Sequence, residues 1–453
     1  MKKRILAIVL SLALLLPVGG LAANAGGNYY TIGNPYADVN WDTWHSVKAQ
    51  LHVHTNASDG ADPRDVVIED HYRLGYDALC LTDHMTLGVP WNEVPKTVPI
   101  MRLVKYDRTQ MLPVTKLTDA RRQEMLDGVG RGGRGMMEIT QGAELNGAVP
   151  SNTHLQGFFS DYGQGQMGVD GDWETPVKGV QAAGGLTTLN HLGEPTGAED
   201  ANDPEFYDKN PQWVDKFAYL FYKYSSCIGM DINSGTNDGT KYDDLLYDKI
   251  LLKTIPYGVV PWAFTYSDAH GLGQFDRAFT VHMMPAKTPA ELRKSMEKGT
   301  FFGAARHARR ILGDSFTGEG PVPAVKAIAV DEAAGTITIA AENCDSIAWV
   351  YDGKVVATGG TLSLAAHNAE IGCYVRAYLT GDGGILYTQP FTVSRAGETL
   401  PKVPINRVID LSVFLRFLVD GIFVFAPKYS PIWFLWSLLT QFDPAIDLAC
   451  LFG

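Results

Sequence analysis

Between residues 48 and 285 the chain repeats one theme, a short apolar or β-branched run that closes on a histidine, aspartate or glutamate. The runs are AQLHVH (49–54), ALCLTDH (78–84), MEITQGAEL (137–145), THLQGFF (153–159), LTTLNH (186–191), CIGMDIN (227–233) and VVPWAFTYSDAH (259–270). Helix-like segments lie between several of them, such as Pro63 to Gly75 and Asp215 to Tyr224. Strands alternating with helices predict an α/β fold with a parallel sheet. The number of repeats, with no Gly-x-Gly-x-x-Gly turn, favours a barrel over a dinucleotide fold. In barrels the chemistry sits where strands end, which is where these polar residues fall.

Two long insertions interrupt the theme, 85–136 with the glycine-rich stretch GVGRGGRG (128–135), and 160–178. Loops of that length are usually functional or disordered, and both are read as walls of a substrate site, with disorder the competing reading for 127–136. After Pro321 the runs become short and alternating, with Asp352-Gly353 as a two-residue hairpin signal. Residues 322–396 are therefore expected to form a small antiparallel β-sandwich, with residues 26–320 as the main domain. From 397 to 453 a hydrophobic tail follows, in which Arg416 and Asp420 spoil a spanning helix. Contact with a membrane surface and packing against the protein are both open to it.

The first 25 residues have a basic start, an apolar run and an Ala-x-Ala site, the pattern of a secretory signal. A secreted or extracytoplasmic location, with attachment to the cell surface as an option, is the expectation. Removing them changes the formal charge from −12 to −12 − 3 = −15, since they hold three basic residues and no acidic one. An acidic chain argues against bulk nucleic-acid binding and leaves a small phosphorylated substrate open. The five cysteines are too scattered for a disulfide framework; Cys344 and Cys373 could pair, although buried thiols are the commoner outcome.

His52 and His54 end the first run, and side chains two apart on a strand project to the same side. Asp268 and His270 repeat that spacing on the last run, and Asp59, His84, Glu144, His154 and His191 come from the turns and strand ends between. Six of the eleven histidines and three carboxylates at successive strand ends would leave costly unpaired polar groups unless cations held them. Imidazole and carboxylate without thiolate suit Zn, Mn or Fe. Asp83 could support His84 or cap the turn behind it. Arg306, His307, Arg309 and Arg310 form a basic cluster in which Arg306 and Arg309 could clamp a substrate phosphate, against a solvated interdomain surface as the alternative.

In order, HVHTNASDG (52–60), TDH (82–84), QGAEL (141–145), THLQGF (153–158), NHLGEP (190–195) and SDAH (267–270) resemble the motif series of the PHP (polymerase and histidinol phosphatase) superfamily over roughly residues 45–310. The resemblance implies a distorted (β/α)7 barrel holding two to three divalent metal ions. His52, His54, Glu144 and Asp268 would hold one; Glu144 would bridge to a second bound by His154 and His191; Asp59, His84 and His270 would hold a third. It implies a phosphoesterase acting on phosphate mono- or diesters through metal-bound hydroxide, with Glu144, Asp268 and His270 at the reacting centre; the signal-like start adds the expectation that it is exported. The long 85–136 insertion and the sandwich are not part of the minimal barrel, so specificity does not carry over. Two other readings stay open: an amidohydrolase-type C–N or ester hydrolase, and a non-catalytic cell-surface binding protein.

Overall fold

The computed structural model describes residues 29–98, 113–147, 153–166, 172–235 and 240–408. The signal-like segment, most of the hydrophobic tail, Cys450 and parts of both insertions lie outside the described residues. Among those described, no helix is long and apolar enough to cross a membrane.

The strands of the main region are β1 (Tyr30–Gly33), β2 (His45–Gln50), β3 (Ala78–Cys80), β4 (Met137–Ile139), β5 (Gly142–Asn146), β6 (His154–Phe158), β7 (Leu186–Leu189), β8 (Cys227–Ser234), β9 (Trp262–Tyr266), β10 (Ala278–Met284) and β11 (Phe301–Ala305). Its longer helices are α1 (Arg64–Arg73), α2 (Asp119–Asp127), α3 (Glu174–Ala182), α4 (Pro211–Lys223), α5 (Asp243–Thr254) and α6 (Pro289–Lys298). Local chemistry sets several boundaries. Thr288 caps α6 by accepting from Glu291 N at 3.2 Å, Pro289 opens it, and Gly299 ends it at φ 72°. In α4 the positions Trp213, Val214, Phe217, Ala218, Leu220 and Phe221 recur at helical spacing, and that stripe is buried.

The molecule is a mixed α/β protein, but among the described residues its strands close no barrel. One five-stranded sheet runs β5-β6-β7-β8-β9; β2, β3 and β4 belong to a separate, larger sheet that continues through β10 and β11. Among the described strands, only β2-β3-β4 and β7-β8-β9 pair in parallel. The run MEITQGAEL divides into β4 and β5 at Gln141, whose φ is +59°, and β6 returns antiparallel to both of its neighbours. That reversal breaks the uniform β/α alternation the pattern suggested. The sheets meet instead through single bridges, Val53 with Ala269 and His84 with Glu144, and through side chains that stand in for a ladder. Thr265 Oγ1 on β9 donates to the Phe279 carbonyl at 2.7 Å and accepts from Ala304 N at 2.9 Å. Gln389 brackets Ala263 from both sides at 2.8 Å.

Between the sheets lies an apolar floor that includes Val47, Leu51, Phe158, Phe264, Met284 and Phe301. Fully burying side chains of this size contributes about 1.5–3 kcal/mol each. It also keeps water from the underside of whatever is built at the strand ends.

The C-terminal strands are β12 (Ala324–Asp331), β13 (Thr336–Glu342), β14 (Ser346–Tyr351), β15 (Lys354–Thr358), β16 (Thr361–Ser363), β17 (Tyr374–Gly381), β18 (Gly384–Tyr387) and β19 (Phe391–Arg395), and every pairing among them is antiparallel. The Asp352-Gly353 turn joins β14 to β15 with φ +48° and +73°, the geometry its sequence signals. Yet β18 pairs with β11 and β19 with β1, so one sheet runs unbroken from the main region into this one. Below the join, Arg376 makes a bidentate pair with Asp248 of α5, both bonds at 2.7 Å, and Arg310 pairs with Asp244 one helical turn away. Cys344 and Cys373 do not pair; each is a free thiol.

Candidate metal centre

His52 and His54 lie just beyond β2, where the chain is still extended: His54 N donates to the Ala269 carbonyl at 2.9 Å, and Asp268 N to the His52 carbonyl at 3.1 Å. These bonds set the two His/Asp-x-His pairs side by side. The turn after His54 folds back tightly because position 60 is glycine. A Cβ there would lie 2.5 Å from the His54 carbonyl carbon. Asp83 holds this turn, accepting from Thr55 N at 2.7 Å, Ser58 N at 3.1 Å and Ser58 Oγ at 2.8 Å. It acts as the turn-capping group rather than as a partner of His84, and through Ser58 it sets the position of Asp59.

All nine predicted ligand positions converge. Glu144 is at their centre, in the middle of β5 rather than at its end, and its two oxygens face different groups. Oε2 lies 3.2 Å from His52 Nε2, 3.1 Å from His54 Nε2 and 3.4 Å from His84 Nε2. Oε1 lies 3.2 Å from His191 Nε2 and 3.6 Å from His154 Nδ1. Asp268 Oδ1 is 3.1 Å from His52 Nε2 and 3.3 Å from His54 Nε2. Asp59 Oδ2 is 3.3 Å from His270 Nε2 and 3.6 Å from His84 Nε2. Three overlapping sets result: His52, His54, Glu144 and Asp268; His54, Asp59, His84 and His270; and His84, Glu144 and His154. His191 joins the third through Glu144 and through a 3.3 Å approach to His154. His154 opens β6, and because that strand runs antiparallel its first residue is the one that reaches the site.

The donor set suits cations. His52 Nε2 and His54 Nε2 lie 3.1 Å apart, an arrangement in which two lone pairs repel unless a proton or a metal lies between them. Burial works against the charge on Glu144, but His52, His84, His154 and His191 outweigh it and hold the carboxyl well below its usual range. Asp268 and Asp59 are likewise held low against burial, by His52 and His270 in the first case and by His270, His84 and His54 in the second. Burial pushes His154 down to about 3 and lowers His84. The carboxylates in turn raise His52, His54 and His191 against burial, so without a metal these imidazoles carry the protons that a divalent cation would have to displace. The backbone is strained at the same place: Met85, His191 and Asp268 have φ of +48°, +30° and +48°, at about 1–3 kcal/mol each.

Several residues around the cage were not singled out from the sequence. Asn190 Nδ2 donates to Glu144 Oε1 at 2.8 Å, and Asn146 Oδ1 lies 3.0 Å from His84 Nδ1. Glu194 Oε2 lies 3.2 Å from His191 Nδ1. The signal for Asn190 and Glu194 was their place beside His191 in NHLGEP; Asn146 gives none without knowing that β5 faces β3.

The first part of the 85–136 insertion does line the site. Met85 N donates to the Glu144 carbonyl at 2.8 Å, Gly165 N of the second insertion to the Met85 carbonyl at 2.9 Å, and Arg64 fastens the loop through the carbonyls of Val89, Pro90, Trp91 and Glu93. The glycine-rich stretch does not. Arg134 grips Asp77 there with two bonds of 2.6 Å, before β3 begins and away from the ligand end of that strand. Arg306 is also engaged elsewhere, its Nε on Asp276 at 3.0 Å and its Nη1 on the carbonyls of Gly320 and Gly383. It braces the junction with the C-terminal strands and is not an open phosphate clamp. Arg309 is exposed at the head of a short helical turn.

The chain matches no protein-family model and no curated protein. Among solved structures it is similar to a two-domain protein from Bacteroides vulgatus that contains a predicted PHP-like metal-dependent phosphoesterase, at 14% identity over 83% of this chain and 91% of that one, with a TM-score of 0.39. It is similar also to a lesion-specific endonuclease from Pyrococcus furiosus, at 12% identity over 56% of each chain and a TM-score of 0.32. An amidohydrolase from Chromobacterium violaceum gives 14% identity over 50% of this chain and 88% of that one, with a TM-score of 0.28. At such identities and TM-scores none of them assigns an activity to this chain.

Proposed function

We propose that this protein is a metal-dependent phosphoester hydrolase whose centre is the Glu144 cage. The observation that carries the reading is the division of Glu144, with one carboxylate oxygen toward His52, His54 and His84 and the other toward His154 and His191. A carboxylate placed in this way can serve two cations at once. Asp59 with His84 and His270 offers a third position. Divalent ions held there would neutralise the oxygens of an anionic ester and lower the pKa of a coordinated water towards neutrality.

The chain's own part is to hold those groups still and dry. Asn190 fixes the rotation of the Glu144 carboxylate, Asn146 that of His84, and Asp83 the turn that carries Asp59. The apolar floor shuts out water from below, which strengthens each charge interaction above it. The ordered resemblance to the PHP motif series supports phosphoester chemistry in particular. We place the protein outside the cytoplasm on the pattern of residues 1–25, and the hydrophobic residues beyond 408 make a membrane surface its candidate partner.

The test is an activity screen of the purified protein over phosphomonoesters, nucleotides and diesters, with metal analysis on the same sample. Hydrolysis of a phosphoester in step with bound metal is the expected result. Turnover of hydantoins or N-acyl amino acids instead would overturn the phosphoester reading, and a protein that takes up no metal would overturn the centre itself.

A further inference from the structure

His54, His84 and His270 turn Nε2 into the cage, and each has a partner on Nδ1. For His84 it is Asn146 Oδ1 at 3.0 Å and for His270 the Asp268 carbonyl at 2.9 Å, both of them oxygens that only accept. They keep the ring proton on Nδ1 and leave the Nε2 lone pair for a cation. His54 differs, because its Nδ1 meets a hydroxyl, Ser58 Oγ, at 3.4 Å. A hydroxyl can donate as well as accept. If Ser58 donated, the proton of a neutral His54 would sit on Nε2, the atom that faces Glu144, Asp268 and His52.

The groups beside Ser58 decide the direction. Its Oγ lies 2.8 Å from Asp83 Oδ1 and 3.2 Å from Asp59 Oδ1, and its single proton goes to one of these carboxylates. In either case only lone pairs are left for His54. The hydroxyl is also held in place. Ser58 N donates to Asp83 Oδ1 and to the Thr55 carbonyl, each at 3.1 Å, while Thr55 gives Asp83 its N at 2.7 Å and its Oγ1 at 2.8 Å. His54, Ser58 and Asp83 are all buried, so bulk water does not replace the contact. Asp59 Oδ1 is a second acceptor, 3.3 Å from His54 Nδ1, on a carboxylate whose other oxygen faces His270 and His84.

We propose that Ser58 is a positioning residue for the cage: its Oγ, kept an acceptor by the carboxylates beside it, takes the Nδ1–H of His54 and fixes the tautomer that presents Nε2 to a metal. The inference rests on the metal-centre reading above. Outer partners of ligating histidines do this elsewhere, and their loss typically weakens metal binding by about 10–100-fold. Ser58 would act without touching metal or substrate, and Asp83 would act through Ser58 as well as through the turn.

The experiment is a competition titration of the full-length protein with Zn²⁺ alone, together with NMR of the Zn²⁺-loaded, histidine-labelled protein to observe the His54 Nδ1–H, identified by its absence in His54→Gln. Ser58→Ala should bind Zn²⁺ about 10–100-fold more weakly and show a displaced, faster-exchanging Nδ1–H signal. Ser58→Thr keeps the hydroxyl and should stay within a few-fold of wild type. If Ser58→Ala does not fold, Ser58→Cys serves in its place, since a thiol is a weak acceptor, with a several-fold loss expected and no change overturning the proposal. Wild-type affinity or an unaltered Nδ1–H signal in Ser58→Ala would overturn the role of Ser58 while leaving the metal centre intact. An equal loss in Ser58→Thr would overturn it too, by assigning the effect to the turn. Failure of the wild-type protein to take up Zn²⁺ at all would remove both the proposal and the metal centre.

Discussion

Arg376 and Asp248 are buried behind α5 as completely as His52 and Glu144 are in the cage, but the two clusters are balanced differently. Around α5, two guanidinium groups answer two carboxylates: Arg376 holds Asp248, Arg310 holds Asp244, and Tyr374 donates to Asp248 Oδ1 at 2.8 Å. Guanidinium keeps its charge at any ordinary pH, so the charges of that cluster balance without a further ion, although Arg376 Nη1 has no hydrogen-bond partner among the described residues. In the cage, Asp59, Glu144 and Asp268 are faced by imidazoles, whose charge depends on a proton that a metal can replace. Depth of burial does not separate architecture from chemistry here. What separates them is whether the counter-charge is permanent.

The largest effect that could break this contrast is expected from Glu144→Gln, which keeps the shape but takes one negative charge from the place where the three ligand sets overlap. Bound metal should fall, and a loss of even ~4 kcal/mol of transition-state stabilisation would slow phosphoester hydrolysis about a thousandfold. Full metal content with normal turnover would refute the ligand assignment.

Arg376→Met acts on the other cluster and should do the reverse. Removing one partner of a buried pair costs about 3–5 kcal/mol, to be read as a lower urea midpoint, with metal stoichiometry unchanged. A variant as stable as wild type would show that the α5 cluster contributes nothing to the join.

Chelation should lower the melting temperature of the wild-type protein, because ions bound at 100 times their dissociation constant stabilise the fold by about 2.7 kcal/mol. Glu144→Gln should lose most of that response and Arg376→Met should retain it. Equal responses in both variants would erase the distinction.

Smaller changes are expected one step outward. Asn190→Ala frees the rotation of Glu144 and should reduce turnover by roughly tenfold, in the range for outer partners of metal ligands. His307→Ala lies outside the cage and should be mild by comparison, so an effect as large as that of Asn190→Ala would mean that the site extends further than described.

The cage was legible in the sequence because its ligands sit on short apolar runs, where alternation fixes which residues share a side. His52 with His54 and Asp268 with His270 could be placed from spacing alone. The sheets could not. Nothing in MEITQGAEL says that the chain breaks at Gln141, and nothing in THLQGFF says that its strand runs antiparallel, which is what brings His154 at its start to the site. The assignments of Arg306 and of the glycine-rich stretch failed for a related reason. Basic side chains near a predicted site look alike in sequence, and only tertiary partners such as Asp276 and Asp77 show that they are engaged.

The pairing of β1 with β19 sets a timetable. Tyr30 aligns with Arg395, and Ala396 N reaches the Tyr29 carbonyl at 2.8 Å, so among the described residues the earliest strand has no strand partner until the last has been made. At roughly 5–20 residues per second, the interval between them is on the order of 20–70 s of synthesis. β11 waits for β18 in the same way, its edge bare meanwhile. Every residue of the cage from His52 to His270 emerges inside that interval, so the whole of the proposed metal centre has been synthesised before β1 and β19 can clasp.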